Sequence, residues 1–246
     1  MTKIAIIGGT GLTSLKNLQL DQREVVHTPY GEPSGPLVHG KFADTDVVFL
    51  PRHGSGHTIP PHKINYRANL WALKEQGVTH IIAVNAVGGI RDDMGPGVLV
   101  VPDQIIDYTC GRSNTYFEDG LESVVHIDFT EPYCQALRSV LIQAAQSAKV
   151  EIIDGGTYAA TQGPRLESSA EIRKLERDGC DLVGMTGMPE AALARELNLC
   201  YAALAVVANW GAGKVDGAIT MEAIETCLNE GMQKVRSSLE QVSKFL

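Results

Sequence analysis

The chain contains a series of short apolar runs, each of which ends abruptly in a polar or glycine-rich turn. The longest is Tyr201-Ala-Ala-Leu-Ala-Val-Val-Ala208, which Asn209, Trp210 and Gly211 follow. Continuous apolar runs of this kind are typical of strands buried on both faces of a helix-covered sheet. Ligands bind beyond the carboxyl ends of such strands, so Asn209 is a candidate ligand-binding residue. The alternative is that Asn209 only caps a turn.

The same pattern predicts further strands along the chain. They are Lys3–Ile7, Asp46–Leu50, His80–Val84, Val98–Ile106 with an interruption at Pro102, Asp154–Thr161 and Asp181–Gly184. Residues 21–50 alternate short β-like runs with turn signals, one of them at 43–44, and predict an antiparallel meander.

Other segments carry apolar residues at helical spacing. They are Lys63–Gln76, Glu131–Lys149, Ser168 or Ser169 to Asp178, Glu190 to about Leu197, and Ala218–Phe245. Gly77 ends the first helix, and Pro132 suits the first turn of the second. Because no repeat, linker or low-complexity segment interrupts the pattern, we expect a single α/β domain over residues 1–246. Its central sheet is mixed, largely parallel and flanked by helices.

Composition narrows the class of protein. The 246 residues are 44% hydrophobic and 20% charged, which suits one large domain. The formal net charge of −8 argues against a nucleic-acid or anionic membrane partner. The chain shows neither a signal-peptide pattern nor an apolar run of the ~18 residues that span a membrane, so we expect a cytoplasmic protein. Five cysteines without CxxC spacing predict reduced, mostly buried thiols.

Gly8-Gly9-Thr10-Gly11 follows the first strand directly. Glycines allow successive backbone N–H groups to converge on one point, which makes an anion-binding nest. A plain tight turn is the alternative. A dinucleotide-binding loop is a weaker interpretation, because Ser14 stands at the sixth place of the GxGxxG pattern.

Arg52 and His53 follow another strand. Arginine can bind an oxyanion through two parallel hydrogen bonds, and His53 could donate to the same anion or to a sugar hydroxyl. The alternative for Arg52 is a surface salt bridge. We expect no metal site at His53, His57 and His62, because the intervening Gly and Pro residues give them no shared helix face.

Five segments place polar or glycine-rich residues just after a strand, and together they predict one composite pocket. They are residues 8–11, 52–57, 85–89, 162–167 and 209–213, with the Met185-Thr186 turn as a sixth. The irregular segment 108–126 suggests an active-site loop or a subunit contact.

These pieces resemble the trimeric purine nucleoside phosphorylase family, and most closely its S-methyl-5′-thioadenosine phosphorylase branch. The pieces are Ile7–Gly11, Arg52-His53, His57-Thr58, Asn65–Asn69, Gly163–Arg165, Met185-Thr186 and Pro189-Glu190, in order over nearly the whole chain. The resemblance implies a homotrimeric pentosyltransferase that acts on a small nucleoside and needs no cofactor. Phosphate is the co-substrate: it attacks the anomeric carbon while the purine leaves.

The resemblance also assigns roles by position. Thr10, Arg52, His53 and Ala86 would hold phosphate, with Asn85 in place of the family's Thr and Thr186 beside the phosphate or base. Met185 would pack against the ribose, and Leu166 stands where relatives usually carry a stacking Phe.

The base-binding positions depart from the adenine-specific pattern. Asn209 replaces an Asp, Gly211 replaces an Asp or similar residue, and Glu167 replaces a small hydroxyl residue; the inosine/guanosine branch carries this Asn and Glu. Asn209 can donate to N7 or O6 of a 6-oxopurine, and Glu167 can accept from N1–H. We therefore expect this pair to be the catalytic, base-recognising pair. For Glu167, the alternative is a helix-capping acid.

The opposite end of the substrate gives a different signal. Inosine-cleaving relatives carry a His early in the terminal helix, where this chain has apolar Ile219 and Met221. These side chains suit a methylthio group, although simple helix packing is the alternative. His126 matches a family position that reaches the 5′ pocket of a neighbouring subunit.

The sequence thus favours phosphorolysis of S-methyl-5′-thioinosine in purine salvage. Close alternatives are an S-methyl-5′-thioadenosine phosphorylase and a general inosine/guanosine phosphorylase. More distant ones are a nucleotide- or NAD-binding enzyme that uses the Gly8–Gly11 loop and a non-catalytic nucleoside-binding protein.

Overall fold

The computed structural model describes residues 2–12, 19–42, 45–120 and 122–246. The strands among them are β1 Ile4–Gly8, β2 Gln19–Glu24, β3 Leu37–Phe42, β4 Thr45–Pro51, β5 His80–Gly89, β6 Leu99–Val101, β7 Gln104–Asp107, β8 Ile152–Asp154, β9 Thr157–Ala160, β10 Leu182–Gly184 and β11 Cys200–Trp210. The α-helices are α1 Tyr66–Glu75, α2 Gln135–Ser147, α3 Ser169–Arg177, α4 Gly187–Glu196 and α5 Met221–Leu239. Within these ranges, no helix is both long enough and apolar enough to cross a membrane.

Strand β5 lies at the centre of the sheet. It pairs in parallel with β1 on one side and with β11 on the other. Strands β4, β3 and β2 continue the sheet beyond β1, while β6 and β8 continue it beyond β11. The last residues of β5, Gly88 and Gly89, pair antiparallel with β10, which leads on to β9 and β7. The predicted mixed, largely parallel sheet is confirmed.

Both faces of the central strands are buried, and β11 shows how. Tyr201, Ala203, Ala205 and Val207 pack into one core cluster, and the alternate residues of the strand pack into another. Helices α1 and α4 supply side chains to the first cluster, and α2 and α5 supply them to the second. Successive side chains of the strand point to opposite faces of the sheet, and helices cover both faces. Every residue of the run is therefore buried, which explains why the run is apolar without interruption.

Several strands differ in extent from the expectation. Strand β5 continues to Gly89 instead of ending at Val84, because Gly88 and Gly89 find a partner in β10. The segment 154–161 is divided by Gly155 and Gly156, both at positive φ, so β8 and β9 are separate strands. The interruption at Pro102 is confirmed, with β6 before it and β7 after it. The predicted turn at 43–44 lies outside the described residues.

Helix beginnings were predicted less well than helix bodies. Helix α1 begins at Tyr66, because the side chain of Asn65 accepts from the N–H of Ala68 and caps it; a separate 3-10 turn covers Pro61–Lys63. Helix α3 is capped by Ser168, in a reciprocal capping box with Glu171.

The beginnings of α2 and α5 also lie later than expected. Pro132 lies before α2, because the N–H of Cys134 donates to the carbonyl of Tyr201 at 2.8 Å and holds the chain outside the helix. Helix α5 begins at Met221 with Thr220 as its cap, so Ile219 lies in the preceding loop.

The cysteine expectation was wrong for one pair. Cys134 and Cys200 form a disulfide with Cα atoms 5.2 Å apart, across the junction of α2 and β11. They are 66 residues apart in sequence, so only the folded topology reveals the pair. Of the remaining cysteines, Cys180 is buried, Cys227 is half-buried and Cys110 is exposed.

Close packing between α5 and β11 leads to a first prediction. A Cβ atom at Gly231 in α5 would lie 2.4 Å from Cγ1 of Val206. Helix propensity alone predicts that Gly231→Ala stabilises the protein by about 1 kcal/mol. We expect the opposite, a loss of about 1–3 kcal/mol in the free energy of unfolding, because the site is overpacked. Urea denaturation measures the change.

The control is the double variant Gly231→Ala, Val206→Ala. Because the second change removes the clashing methyl groups, its total loss should be smaller than the sum of the two single losses. Stabilisation by Gly231→Ala alone would contradict the packing account.

Candidate active site

The carboxyl ends of the central strands enclose a cavity of about 280 Å³. Strands β1, β4, β5 and β11 run parallel and therefore end at the same edge of the sheet. Strand β10 pairs antiparallel with the last residues of β5, so its end at Gly184 also lies at this edge of the sheet. The expected site residues that line the cavity are Thr10, Arg52, His53, Ala86, Leu166, Glu167, Met185, Thr186, Asn209, Gly211, Ile219 and Met221. The predicted composite pocket is therefore present.

The glycines of the loop after β1 are required for close approach. A Cβ atom at Gly9 would lie 2.6 Å from the Val84 carbonyl oxygen and 2.9 Å from Nη1 of Arg52. The N–H of Arg52 donates to the carbonyl of Gly8 at 2.9 Å, which ties the ends of β1 and β4 together. Thr10 is thereby brought beside Arg52 in the cavity wall.

Arg52 is fully buried, so the surface salt-bridge interpretation is wrong. Its Nε and Nη2 donate to the two carboxylate oxygens of Glu190 at 2.7 and 2.8 Å. Its Nη1 donates to the Val84 carbonyl at 2.8 Å. Burial alone would lower the pKa of the guanidinium, but Glu190 raises it above its ordinary value. Arg52 is therefore a permanent cation held in one orientation.

His53 is a neutral ring with a defined tautomer. Its Nδ1 lies 2.8 Å from the Ile59 carbonyl, which can only accept, so Nδ1 carries the proton. Burial, with smaller contributions from Arg52 and His57, lowers the pKa of His53 to about 4, against the raising effect of the hydrogen bond to Ile59. In this tautomer Nε2 is left as an acceptor, and the donor role of His53 toward an anion or a sugar hydroxyl stays a prediction for the protonated ring.

Asn85 was expected to touch the ligand, but it lies beneath the cavity wall. It is 1% exposed and does not line the cavity, and its Nδ2 donates to Oγ1 of Thr186 at 2.9 Å. Thr186 precedes α4 and does line the cavity, as does Ala86. Asn85 is therefore placed to orient the Thr186 hydroxyl, because the side chain at this position of β5 points inward.

A bulge in β11 places Asn209. Val207 pairs with Val87 and Asn209 pairs with Gly88, so Ala208 is an extra residue in the strand. Bulges of this kind redirect side chains next to active sites. The Nδ2 of Asn209 donates to the Trp210 carbonyl at 2.7 Å, which leaves Oδ1 and the second amide hydrogen free to bind a ligand. The amide thus makes a local turn contact and also lines the cavity.

Glu167 lines the same cavity as Asn209. Its Oε1 accepts from the Thr161 hydroxyl at 2.6 Å, and Oε2 is left for another donor. The capping acid of α3 is Glu171 and not Glu167, so the helix-capping interpretation of Glu167 is wrong.

The remaining expected residues divide into two groups. Ile219 and Met221 line the cavity together with the apolar Ile224 and Leu228, and Met221 is 63% exposed. Helix packing therefore does not explain Met221. His126 is exposed and does not line the cavity of its own chain. Its contribution to a neighbouring subunit stays a prediction.

Sequence reasoning missed several residues. Pro61 lines the cavity, as do Ile224 and Leu228 of α5. His57 belongs to the predicted pocket segment 52–57, but sequence reasoning assigned it no role of its own. The apolar stripe of α5 indicated that Ile224 and Leu228 are buried, but it could not show whether they line the cavity or pack in the core. Nothing in the sequence pattern paired Glu190 with Arg52 across 138 positions.

A comparison with protein families matches residues 3–244 to the Phosphorylase superfamily. A "Probable S-methyl-5′-thioinosine phosphorylase" from Pseudomonas syringae pv. tomato is 57% identical over 242 residues, which cover 98% of each chain. A "6-oxopurine nucleoside phosphorylase" from Pyrococcus furiosus is 51% identical over 219 residues, 87% of this chain and 81% of that one.

Solved structures show the same fold. The methylthioadenosine phosphorylase from Schistosoma mansoni in complex with adenine superposes with a TM-score of 0.94 at 35% identity. The match covers 99% of this chain and 91% of that one. The expected nucleoside phosphorylase-like architecture is confirmed.

The neutral, buried state of His53 predicts a pH-dependent stability. Between the folded pKa of about 4 and the unfolded value of 6.5, only the unfolded chain binds a proton at this ring. The free energy of unfolding of the wild type should therefore rise with pH relative to that of His53→Gln, by up to about 1.4 kcal/mol per pH unit. Above pH 6.5 the difference should be constant.

Urea denaturation of both proteins from pH 4.5 to 8, at one protein concentration, measures this difference. Parallel stability curves across the acidic range would show that His53 is not held neutral.

Proposed function

The chain belongs to the phosphorylase superfamily, and we propose that it catalyses phosphorolysis of S-methyl-5′-thioinosine to hypoxanthine and 5-(methylthio)ribose 1-phosphate. One observation carries this proposal. The cavity combines an Asn209–Glu167 pair with apolar Ile219 and Met221, together with Gly9 and Thr10 of the loop after β1 and the guanidinium of Arg52. A 6-oxopurine, a thioether and an anion are the groups that this combination suits.

The phosphate end is built from fixed donors. Thr10, Arg52, Ala86 and Thr186 all line the cavity. Their hydroxyl, guanidinium and backbone N–H groups are donors that suit a phosphate. Donors that are already oriented bind an anion without reorganisation at the moment of reaction. Neutral His53 complements them, because Nε2 can accept from the protonated oxygen of monohydrogen phosphate.

The reaction balances without a covalent enzyme intermediate. A phosphate oxygen forms a bond to the anomeric carbon as the bond from that carbon to N9 breaks, and the electron pair leaves with the purine. The proton lost by monohydrogen phosphate is the one that hypoxanthine gains. The sugar becomes oxocarbenium-like between them, so an anion on one side and a stabilised leaving base on the other lower the barrier.

Base selection depends on hydrogen-bond polarity. The free amide hydrogen of Asn209 can donate to N7 or O6 of hypoxanthine, where charge develops as the base leaves. The free Oε2 of Glu167 can accept from N1–H, because Thr161 occupies Oε1. Adenine presents an amino donor at position 6 and an acceptor at N1, so it leaves buried polar atoms unpaired.

The 5′ end favours a thioether over a hydroxyl. Ile219, Met221, Ile224 and Leu228 offer carbon and sulfur contacts, which suit a methylthio group.

Two related activities are the alternatives. An S-methyl-5′-thioadenosine phosphorylase would share the apolar end, and a general 6-oxopurine nucleoside phosphorylase would share the Asn209–Glu167 pair. The relative from Schistosoma mansoni is named as a methylthioadenosine phosphorylase, and that from Pyrococcus furiosus as a 6-oxopurine nucleoside phosphorylase. Within our proposal the enzyme is a cytoplasmic homotrimer, phosphate is its co-substrate and no further cofactor takes part.

Assays of four nucleosides at fixed phosphate test the proposal directly. We expect kcat/KM for S-methyl-5′-thioinosine to exceed those for inosine, S-methyl-5′-thioadenosine and adenosine, because only that substrate suits both ends of the cavity. Turnover without phosphate is the control and should be absent. Equal or better turnover of S-methyl-5′-thioadenosine would refute the base assignment, and a large preference for inosine would refute the 5′ assignment.

Asn209→Asp tests the selector itself. A carboxylate in place of the amide loses the donor to N7 or O6, so we expect kcat/KM for S-methyl-5′-thioinosine to fall by about tenfold or more. Some turnover of S-methyl-5′-thioadenosine should appear. Asn198→Asp, at an exposed position, makes the same chemical change elsewhere and should leave both values unaltered. An unchanged substrate ratio in Asn209→Asp would remove Asn209 as the selector.

A further inference from the structure

Glu190 is a fully buried carboxylate that does not line the cavity. It begins the regular part of α4, two residues after Met188, whose backbone is not helical. Both of its oxygens bind the Nε and Nη2 atoms of Arg52, in a parallel fork. Seen from the cavity, Glu190 therefore lies behind Arg52.

A third group fixes Glu190 in turn. The hydroxyl of Tyr201 donates to Oε1 of Glu190 at 2.9 Å. Tyr201, the second residue of β11, is 2% exposed and belongs to the first core cluster. The orientation of the Arg52 guanidinium is thus set by a chain of contacts that begins in the core of the protein.

A structural role alone does not account for this pair. Removing both charges from water costs free energy that their mutual attraction only partly offsets. A well-packed apolar pair of the same volume often gives equal or greater stability, so stability alone does not explain a buried ion pair. Such pairs are expected where function needs a fixed charged group. Arg52 is also the only Lys or Arg among the described residues that line the cavity.

We propose that Glu190, held by Tyr201, is a positioning residue that aims the Arg52 guanidinium at the phosphate co-substrate. Glu190 acts through Arg52 and touches no substrate. With Nε and Nη2 engaged by Glu190, and Nη1 by Val84, the remaining hydrogens of the guanidinium point in fixed directions. The inference deepens the proposed phosphorolysis and depends on it for the identity of the anion.

The variant that separates position from charge is Glu190→Asp. It keeps the negative charge, but it is one methylene shorter, so it must draw the guanidinium back or release one arm of the fork. We expect KM for phosphate to rise about tenfold or more, with KM for the nucleoside within about twofold of the wild-type value. A role in charge balance alone predicts no change in either constant.

Glu196→Asp is the matched control. Glu196 ends the same helix and accepts hydrogen bonds from the Thr115 hydroxyl and the Tyr116 N–H, so the same shortening disturbs both oxygens of a carboxylate that does not contact Arg52. We expect its KM for phosphate to equal that of the wild type. Tyr201→Phe removes only the third contact and should raise KM for phosphate by about two- to tenfold. It keeps the ion pair intact, so it tests the inference if Glu190→Asp fails to fold.

Phosphate binding measured by calorimetry gives a readout that needs no turnover. Weaker phosphate binding by Glu190→Asp than by Glu196→Asp supports the inference, even if the wild type fails to cleave S-methyl-5′-thioinosine and the proposed function falls. Equal phosphate affinity in Glu190→Asp and wild type, or equal rises in KM for both substrates, would overturn the inference. A wild type that binds no phosphate would overturn both proposals.

Discussion

The parallel pairing of β5 with β11 is the constraint on which the cavity depends. Most apolar residues of both strands are buried, on both faces of the sheet, so the strands have little freedom to move. The outer ends carry Ala86 on one strand and Asn209 on the other, with one bulged residue, Ala208, between Val207 and Asn209. Because this packing fixes the strands, the polar groups at their ends are held in place before any ligand binds.

Three chemical environments line this cavity. Hydrogen-bond donors and one compensated cation suit an anion, an amide and a carboxylate suit a purine base, and apolar side chains suit a methylthio group. No single environment is specific, because an oxyanion, a purine or an alkyl group each binds many proteins. Specificity comes from requiring all three at fixed separations on one small molecule, which a mismatched substrate satisfies only in part.

Much of this arrangement could be predicted from the sequence, because its signals are local. An apolar run followed at once by polar residues indicates a strand end, and the number of such ends indicated a shared pocket. Features that depend on tertiary contacts could not be predicted in this way. The later beginning of α2, the Cys134–Cys200 disulfide, the inward turn of Asn85 and the Arg52–Glu190 pair each join distant segments. The bulge at Ala208 likewise exists only through pairing with β5.

We propose above all that the Asn209 amide and the Glu167 carboxylate recognise the polar edge of a 6-oxopurine through hydrogen bonds. The most direct measurement is a crystal structure of the protein with hypoxanthine and phosphate bound. Our account predicts that the Asn209 amide donates to N7 or O6 of the base while Glu167 accepts from N1–H, with phosphate against Arg52. A complex in which Asn209 and Glu167 both point away from the purine would contradict it.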